Sequence, residues 1–128
     1  MNSAISGGVT IRVQTFYQEA YSDPVAGSYM FAYQITIENS NPFPIQLLKR
    51  YWKIFDSNGL FREVEGEGVV GVQPVIASGS TYQYISGCHL QSEIGKMQGY
   101  YTVQNMENKK QFKVEVPAFS MVVPFKLN

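Results

Sequence analysis

The stretch that decides the fold class is Gly66-Glu67-Gly68-Val69-Val70-Gly71 with its continuation Val72-Gln73-Pro74-Val75-Ile76-Ala77-Ser78-Gly79-Ser80. Its first six residues match G-x-G-x-x-G, which in dinucleotide-binding folds joins a strand to a helix whose N-terminus holds a pyrophosphate. That helix cannot form here, because proline is excluded from a helix interior and the Ser-Gly-Ser cluster ends the segment within two turns. The stretch therefore predicts a glycine-rich connection between β-strands.

Alternation of apolar and polar residues extends in both directions from this connection. One face of the clearest strand is formed by Tyr29, Phe31, Tyr33, Ile35 and Ile37. Further strands are indicated around residues 9–13, 45–56, 60–65, 82–85, 97–103 and 112–116. Turn signals separate these strands, and no segment carries a helical stripe. The pattern predicts an all-β fold, an antiparallel β-sandwich of immunoglobulin-like or fibronectin type III-like character.

One β-hairpin can be predicted in register. Strands 45–56 and 60–65 are joined across residues 57–59, which read Ser-Asn-Gly. A two-residue loop would place Phe55 opposite an arginine, whereas a three-residue loop with a left-handed glycine places it opposite Phe61. We favour the second register because it also pairs a lysine with a glutamate.

Length and composition describe one folded domain over residues 1–128. Lys and Arg total 10, as do Asp and Glu, so no net charge attracts nucleic acid. Cys88 is the only cysteine, which excludes an intrachain disulfide and fits a reducing compartment. The first eight residues lack a signal-peptide pattern, and no apolar run approaches the ~18 residues of a membrane span. We expect a cytoplasmic monomer or small homo-oligomer without membrane insertion.

Nucleophilic catalysis has little support in the sequence. Cys88 and His89 are adjacent, and neighbours on an extended strand point to opposite faces, so they cannot act as nucleophile and base. A serine elsewhere in the chain could still approach His89, but no nucleophile-elbow motif is present. We therefore predict no catalytic residues, no enzymatic activity and no cofactor.

A metal site also lacks its usual motifs, since the chain has no HExxH, no paired CxxC and no EF-hand loop. The candidates are Glu63, Glu65 and Glu67, of which the first two share one face of a predicted strand and offer hard oxygen ligands for Mg²⁺ or Co²⁺. In the favoured register Glu63 lies beside Lys53 and Glu65 beside Tyr51. A solvated strand face is therefore the preferred interpretation.

The glycine run allows a second ligand hypothesis. Successive backbone N–H groups in a turn can bind an anion, and a surface loop can also serve in recognition. The loop in question is Gly66, Glu67, Gly68, Val69, Val70 and Gly71. It contains no lysine or arginine, and its glutamate would repel phosphate, so we favour a conformational role for the glycines. The nearby basic cluster Lys49-Arg50 with Lys53 predicts a solvated sheet edge, and the nine tyrosines offer anchors for a protein interface.

The ordered motifs resemble those of the bacterial ApaG family over residues 8–124, which we take as the extent of the core. They are, in chain order, Tyr29-Met-Phe-Ala-Tyr33, Ile35-Thr-Ile37, Gln46-Leu-Leu-Lys-Arg50-Tyr-Trp52, Asp56-Ser-Asn-Gly59, Val64-Glu-Gly66-Glu-Gly68-Val-Val-Gly71, Gln73-Pro74, Tyr82, Tyr84, Ser86-Gly87-Cys88, Met97-Gln-Gly99-Tyr-Tyr101 and Val116-Pro-Ala-Phe119. The chain departs from the family pattern at Val72, where many members carry an acidic residue.

The resemblance implies a fibronectin type III-like sandwich without an established catalytic activity. It also implies a genetic association with cobalt resistance and magnesium efflux. Similar domains occur in eukaryotic F-box and DNA-polymerase-delta-interacting proteins, where a protein-interaction role is inferred. On this basis we expect a non-enzymatic module that binds an unidentified protein partner and acts on efflux indirectly. The alternative is a regulator that binds a divalent cation, phosphate or pyrophosphate ligand directly.

Overall fold

The computed structural model describes residues 2–126, which form β-strands joined by turns and by three 3₁₀ turns. The strands are β1 (Asn2–Ser6), β2 (Val9–Tyr17), β3 (Tyr29–Asn39), β4 (Ile45–Asp56), β5 (Phe61–Glu67), β6 (Val75–Ile76), β7 (Thr81–Leu90), β8 (Ile94–Asn105) and β9 (Gln111–Val122). The 3₁₀ turns are Glu19–Tyr21, Pro24–Ala26 and Pro124–Lys126. No α-helix occurs in this range, and none of the helical turns is long or apolar enough to cross a membrane.

Two antiparallel sheets form a sandwich, which confirms the predicted fold class. The first sheet has the strand order β1-β2-β3-β7, and the second has the order β5-β4-β8-β9, with β6 also paired to β4. The immunoglobulin-like or fibronectin type III-like character and the limits of the domain stay predictions. Each strand of a sandwich turns alternate side chains inward, and this alternation places the apolar faces read from the sequence between the sheets.

The centre of the core is an aromatic cluster around Trp52. The rings of Tyr33, Tyr101 and Phe119 lie 5.7, 6.1 and 6.0 Å from the ring of Trp52, centroid to centroid. All four side chains are buried, and both sheets contribute to the cluster. Edge-to-face aromatic pairs add about 0.5–1.5 kcal/mol to the gain from burial, so this cluster anchors the two sheets to each other.

The predicted hairpin register is confirmed. Phe55 pairs with Phe61 across β4 and β5, and their ring centroids lie 5.0 Å apart. Gly59 has φ +94°, a left-handed value that glycine adopts without steric cost. The loop is closed by two backbone hydrogen bonds between Asp56 and the residues near the end of the turn: the N–H of Asp56 donates to Leu60, and the N–H of Gly59 donates to Asp56.

Two features of the sheets differ from the sequence expectation. Strands β1 and β6 were not predicted, because β1 carries little apolar pattern and β6 has only two residues; both depend on pairing with a longer neighbour. The basic cluster Lys49-Arg50 with Lys53 is not at a sheet edge, since β4 lies between β5 and β8. Strand order is set by contacts between distant segments, and local alternation does not report it.

Candidate functional site

The glycine-rich loop is a tight turn. Val69 and Val72 form an antiparallel bridge, closed by the hydrogen bonds from Val69 N to Val72 O (2.8 Å) and from Val72 N to Val69 O (3.1 Å). Between them Val70 and Gly71 have φ +47° and +79°, the pattern of a type I′ turn. A β-branched residue is rarely left-handed, and the conformation costs Val70 about 1–2 kcal/mol. The loop connects β5 to β6, which agrees with the predicted connection between strands, although β6 itself was not predicted.

Of the glycines in the motif, Gly68 is required by close packing of the backbone, and Gly66 leaves room for the end of an arginine side chain. Gly68 has φ +62°, and a Cβ atom at this position would collide with the backbone oxygen of Val72. At Gly66 a Cβ atom would lie 2.7 Å from Nη1 of Arg50, which is well inside van der Waals contact. The glycines thus let the chain approach itself and let an arginine side chain pass beneath β5.

The loop presents acceptors where an anion site needs donors. Nη1 of Arg50 donates to the carbonyl oxygens of Glu67 and Gly68, both at 3.0 Å. The N–H of Gly68 donates to Leu48 of β4, and the N–H groups of Val69 and Val72 are used within the turn. These contacts support the conformational role of the motif, and anion binding by the loop stays a prediction. The contact between Arg50 and this loop was not predicted from the sequence, because the arginine lies on a different strand.

The three glutamates line one edge of the second sheet. Strand β5 continues to Glu67, so all three side chains share the outer face and not only the first two. Their partners on β4 are Lys53, Tyr51 and Lys49. Within residues 2–126 no group of three or more His, Cys, Asp or Glu side chains could hold a metal ion.

One of these carboxylates has a specific partner. The hydroxyl group of Tyr51 donates to Oε2 of Glu63 at 2.8 Å, diagonally across the strands. Desolvation on the sheet and this carboxylate raise the pKa of Tyr51 to about 12. The expected pairing of Lys53 with Glu63 is therefore a register match without an ion pair, since Glu63 turns toward the phenol.

The outer face of the second sheet carries two aromatic pairs, Phe55 with Phe61 and Tyr51 with Tyr100. The ring centroids lie 5.0 Å apart in each pair. We call this surface the aromatic face. The ammonium group of Lys113 lies 4.4 Å above the ring of Tyr100, a cation–π contact. The aromatic face is open to solvent, with Phe55 36% and Phe61 50% exposed.

A shallow groove runs along the tyrosine end of the aromatic face. It has a volume of about 490 Å³. Its lining residues are Lys49, Arg50, Tyr51, Glu65, Gly66, Glu67, Tyr100 and Thr102. The groove therefore combines two phenol rings with charges of both signs, which is a surface suited to recognition of a polar partner.

Cys88 and His89 point to opposite faces of β7, as predicted. Cys88 is buried, and burial raises the pKa of its thiol to about 11, which opposes formation of a thiolate nucleophile. His89 is exposed, and its Nε2 lies 2.9 Å from Oγ of Ser28. A catalytic triad also needs an acid that orients the imidazole, and among the described contacts neither Ser28 nor His89 bonds to a carboxylate.

A buried polar contact lies between the sheets. The hydroxyl groups of Tyr84 and Tyr101 are hydrogen-bonded to each other. Burial raises the pKa of both phenols, and the nearby Arg50 opposes the shift. No local sequence pattern could pair these two tyrosines, because they lie on strands of different sheets.

The sequence model described as the ApaG domain matches residues 19–105, within the span that carries the motifs above. The chain belongs to the ApaG family. Protein ApaG of Brucella suis is 45% identical over 124 residues, which cover 97% of this chain and 95% of that protein. Protein ApaG of Escherichia coli O1:K1 is 49% identical over 116 residues, covering 91% and 92%.

A solved structure supports the same assignment. The crystal structure of a protein described as ApaA from Bordetella pertussis matches with a TM-score of 0.87 and 40% sequence identity. The match covers 91% of this chain and 94% of that chain. The chain therefore shares both sequence and fold with its relatives, and neither the family description nor these names indicate a catalytic activity.

Proposed function

We propose that this ApaG-family chain is a non-enzymatic interaction module that binds a protein partner through its aromatic face. The observation that carries the proposal is the pair of exposed phenylalanines, Phe55 and Phe61, on a sheet whose inner side is already fully used by the core. Aromatic side chains with few rotatable bonds are the usual anchors of protein interfaces. Burying two such rings against a partner would contribute about 1.5–3 kcal/mol each.

We propose further that any effect on Co²⁺ resistance or Mg²⁺ efflux passes through this cytoplasmic partner. The support is local: Glu63 is held by Tyr51, and the cross-strand neighbours of Glu63 and Glu67 are the lysines Lys53 and Lys49. Ammonium groups near these carboxylates weaken the local negative potential that would attract a divalent cation. A partner in the transport machinery would supply the ion-binding step.

Direct binding of a divalent cation or of phosphate remains the alternative. It has weaker support, because the carbonyl groups of Glu67 and Gly68 face Arg50 and the N–H groups of the turn are largely used within the chain. NMR titration with Mg²⁺, Co²⁺ and pyrophosphate tests it. Saturable shifts confined to residues 63–72 would favour the alternative over the interaction module.

Affinity capture with matched variants tests the main proposal. Phe55→Ser removes an exposed ring from the aromatic face, and Phe16→Ser removes a ring of similar exposure, 40%, from the outer face of the first sheet. We expect Phe55→Ser to lose the partner recovered by the wild type and Phe16→Ser to retain it. Equal recovery by both variants would refute binding through the aromatic face.

The same pair of variants tests the link to metal ions. In cells that lack the native gene and are sensitive to Co²⁺, we expect Phe16→Ser to restore resistance and Phe55→Ser to fail at equal protein level. Restoration by Phe55→Ser would separate metal resistance from the aromatic face.

A further inference from the structure

The phenylalanine end of the aromatic face forms a continuous apolar patch. Phe61 packs on Phe55, and Ile94 lies diagonally from Phe55 on the same face of the neighbouring strand β8. Ile94 is 42% exposed, similar to Phe55 and Phe61. We call these three residues the apolar patch. Its members come from three adjacent strands, so their spacing is set by the sheet.

Two lysines flank the apolar patch. Lys53 precedes Phe55 by two residues and shares its face, and Lys96 pairs directly with Phe55 across β4 and β8. Among the described side chains, those of residues 2–125, the ion pair with both partners described joins Arg12 and Glu38 in the first sheet. Both ammonium groups beside the patch therefore have no carboxylate within salt-bridge distance.

The opposite end of the aromatic face carries more carboxylates than ammonium groups, and its cations are Lys49 and Lys113. Glu65 and Glu67 follow along β5, and Glu115 pairs with Tyr100 across β8 and β9. Glu63, which lies opposite Lys53 on β5, accepts a hydrogen bond from Tyr51. The surface thus changes from apolar with cations at one end to aromatic with more anions at the other.

We infer that the apolar patch with Lys53 and Lys96 binds an acidic peptide segment that carries large apolar side chains. The inference rests on the proposed interaction function and names the chemistry of the partner. Apolar side chains of the segment would cover Phe55, Phe61 and Ile94, and its carboxylates would pair with the two lysines. At the far end three glutamates outnumber two lysines, Lys49 and Lys113, so the same segment would be less favoured there.

Charge complementarity favours this occupant over others. An anionic membrane surface is recognised by clusters of about 4–8 cations, and the patch offers two. Nucleic acid requires a basic stripe, whereas this chain has no net charge. A second copy of the chain would dock a flat face against a flat face and would be detected as a dimer.

The experiment is a ¹⁵N–¹H NMR titration of the full chain with three short synthetic peptides of equal length. The first alternates glutamate with leucine and phenylalanine, the second replaces each glutamate by lysine, and the third replaces each apolar residue by alanine. We expect the first peptide to shift the resonances of Phe55, Phe61, Ile94, Lys53 and Lys96, with binding weakened by added salt. The other two should bind about tenfold or more weakly.

Matched variants test whether the charges of the two lysines contribute to peptide binding. Lys53→Gln with Lys96→Gln lowers the net charge by two at the patch, and Gln14→Glu with Gln83→Glu lowers it equally on the outer face of the first sheet. We expect the lysine variant to bind the acidic apolar peptide about tenfold more weakly and the glutamine variant to bind as the wild type does.

The outcomes separate the inference from the proposed function. Shifts at the patch with the basic peptide alone would overturn the acidic partner while leaving an interaction module in place. Absence of shifts anywhere on the aromatic face with all three peptides would overturn the inference, and failure of the capture experiment would in addition refute the proposed function. Binding of phosphatidylserine vesicles at the patch, or a dimer by analytical ultracentrifugation that buries Phe55, would replace the peptide by a membrane or by a second copy.

Discussion

The outer faces of the two sheets are built from strands with the same alternation, yet they differ in how their polar groups are used. On the first sheet Arg12 pairs with Glu38 at 2.8 Å, and Gln83 donates to Thr36 at 3.0 Å. On the second sheet the aromatic rings pair with one another, and no carboxylate of the described residues lies within salt-bridge distance of Lys53 or Lys96.

This difference indicates which of the two outer faces can form new contacts with a partner without breaking existing ones. A face whose charges and amides are paired within the chain must break those contacts before it binds anything else. A face with exposed rings and free ammonium groups gains contacts on binding and loses only water. The first sheet also exposes Phe16 and Ile85, but its outer charges are paired, and the proposed binding side is therefore the second sheet.

The largest expected loss of stability comes from removing the side chain that supports the second sheet on its inner side. Trp52→Ala deletes the centre of the aromatic core cluster, and a change of this kind costs about 3–5 kcal/mol. We expect a large fall in the midpoint of urea denaturation. Ile5→Ala, at an exposed position of the first sheet, is the control and should change stability by less than about 0.5 kcal/mol.

Two neighbouring tyrosines of β8 allow the stability contributions of its inner and outer sides to be compared. Tyr101→Phe leaves the buried hydroxyl of Tyr84 without its partner, which costs about 1–3 kcal/mol. Tyr100→Phe, on the aromatic face, should cost less than about 0.5 kcal/mol. Chemical denaturation measures both, and equal losses would contradict the assignment of the two hydroxyl groups.

Removing a paired charge and removing an unpaired one should change stability by different amounts, but by less than the substitutions above. Arg12→Gln removes an exposed ion pair and should cost about 0.2–1 kcal/mol at low salt, with the loss diminished at high salt. Lys53→Gln removes a cation without a carboxylate partner and should leave stability unchanged within error. A salt-dependent loss in Lys53→Gln as large as that in Arg12→Gln would remove the distinction between the two faces.

The smallest effect concerns alkaline titration of the aromatic face. Because the pKa of Tyr51 is raised to about 12 in the folded chain, its protonated form is favoured there. The associated stability is present below the ordinary tyrosine pKa of about 10 and is lost as pH rises through about 12. Glu63→Gln removes a carboxylate that contributes to the shift, so the pKa of Tyr51 should fall toward its ordinary value. The absorbance of tyrosinate measures the pKa of Tyr51, and the variant Tyr51→Phe assigns the signal. An unchanged pKa in Glu63→Gln would exclude Glu63 as a cause.

Much of the architecture follows from local rules that act on neighbouring residues. Alternation along β3 predicted its buried face, and the Ser57-Asn58-Gly59 turn predicted the pairing of Phe55 with Phe61. The exclusion of a helix after Gly71 followed from one proline. By contrast, Arg50 beneath the glycine loop and the position of β4 inside its sheet were not predictable, because both depend on which distant strands pair.

The sequence by itself determined that the chain is an antiparallel β-protein, which residues face its core, and that the glycine motif joins strands without a nucleotide-binding helix. These properties depend on backbone sterics and on a period of two, which act over a few residues. Only the tertiary structure decided that Lys96 lies beside Phe55 and that Tyr84 meets Tyr101. Such contacts join residues far apart in the chain, and the order and stacking of the strands bring them together.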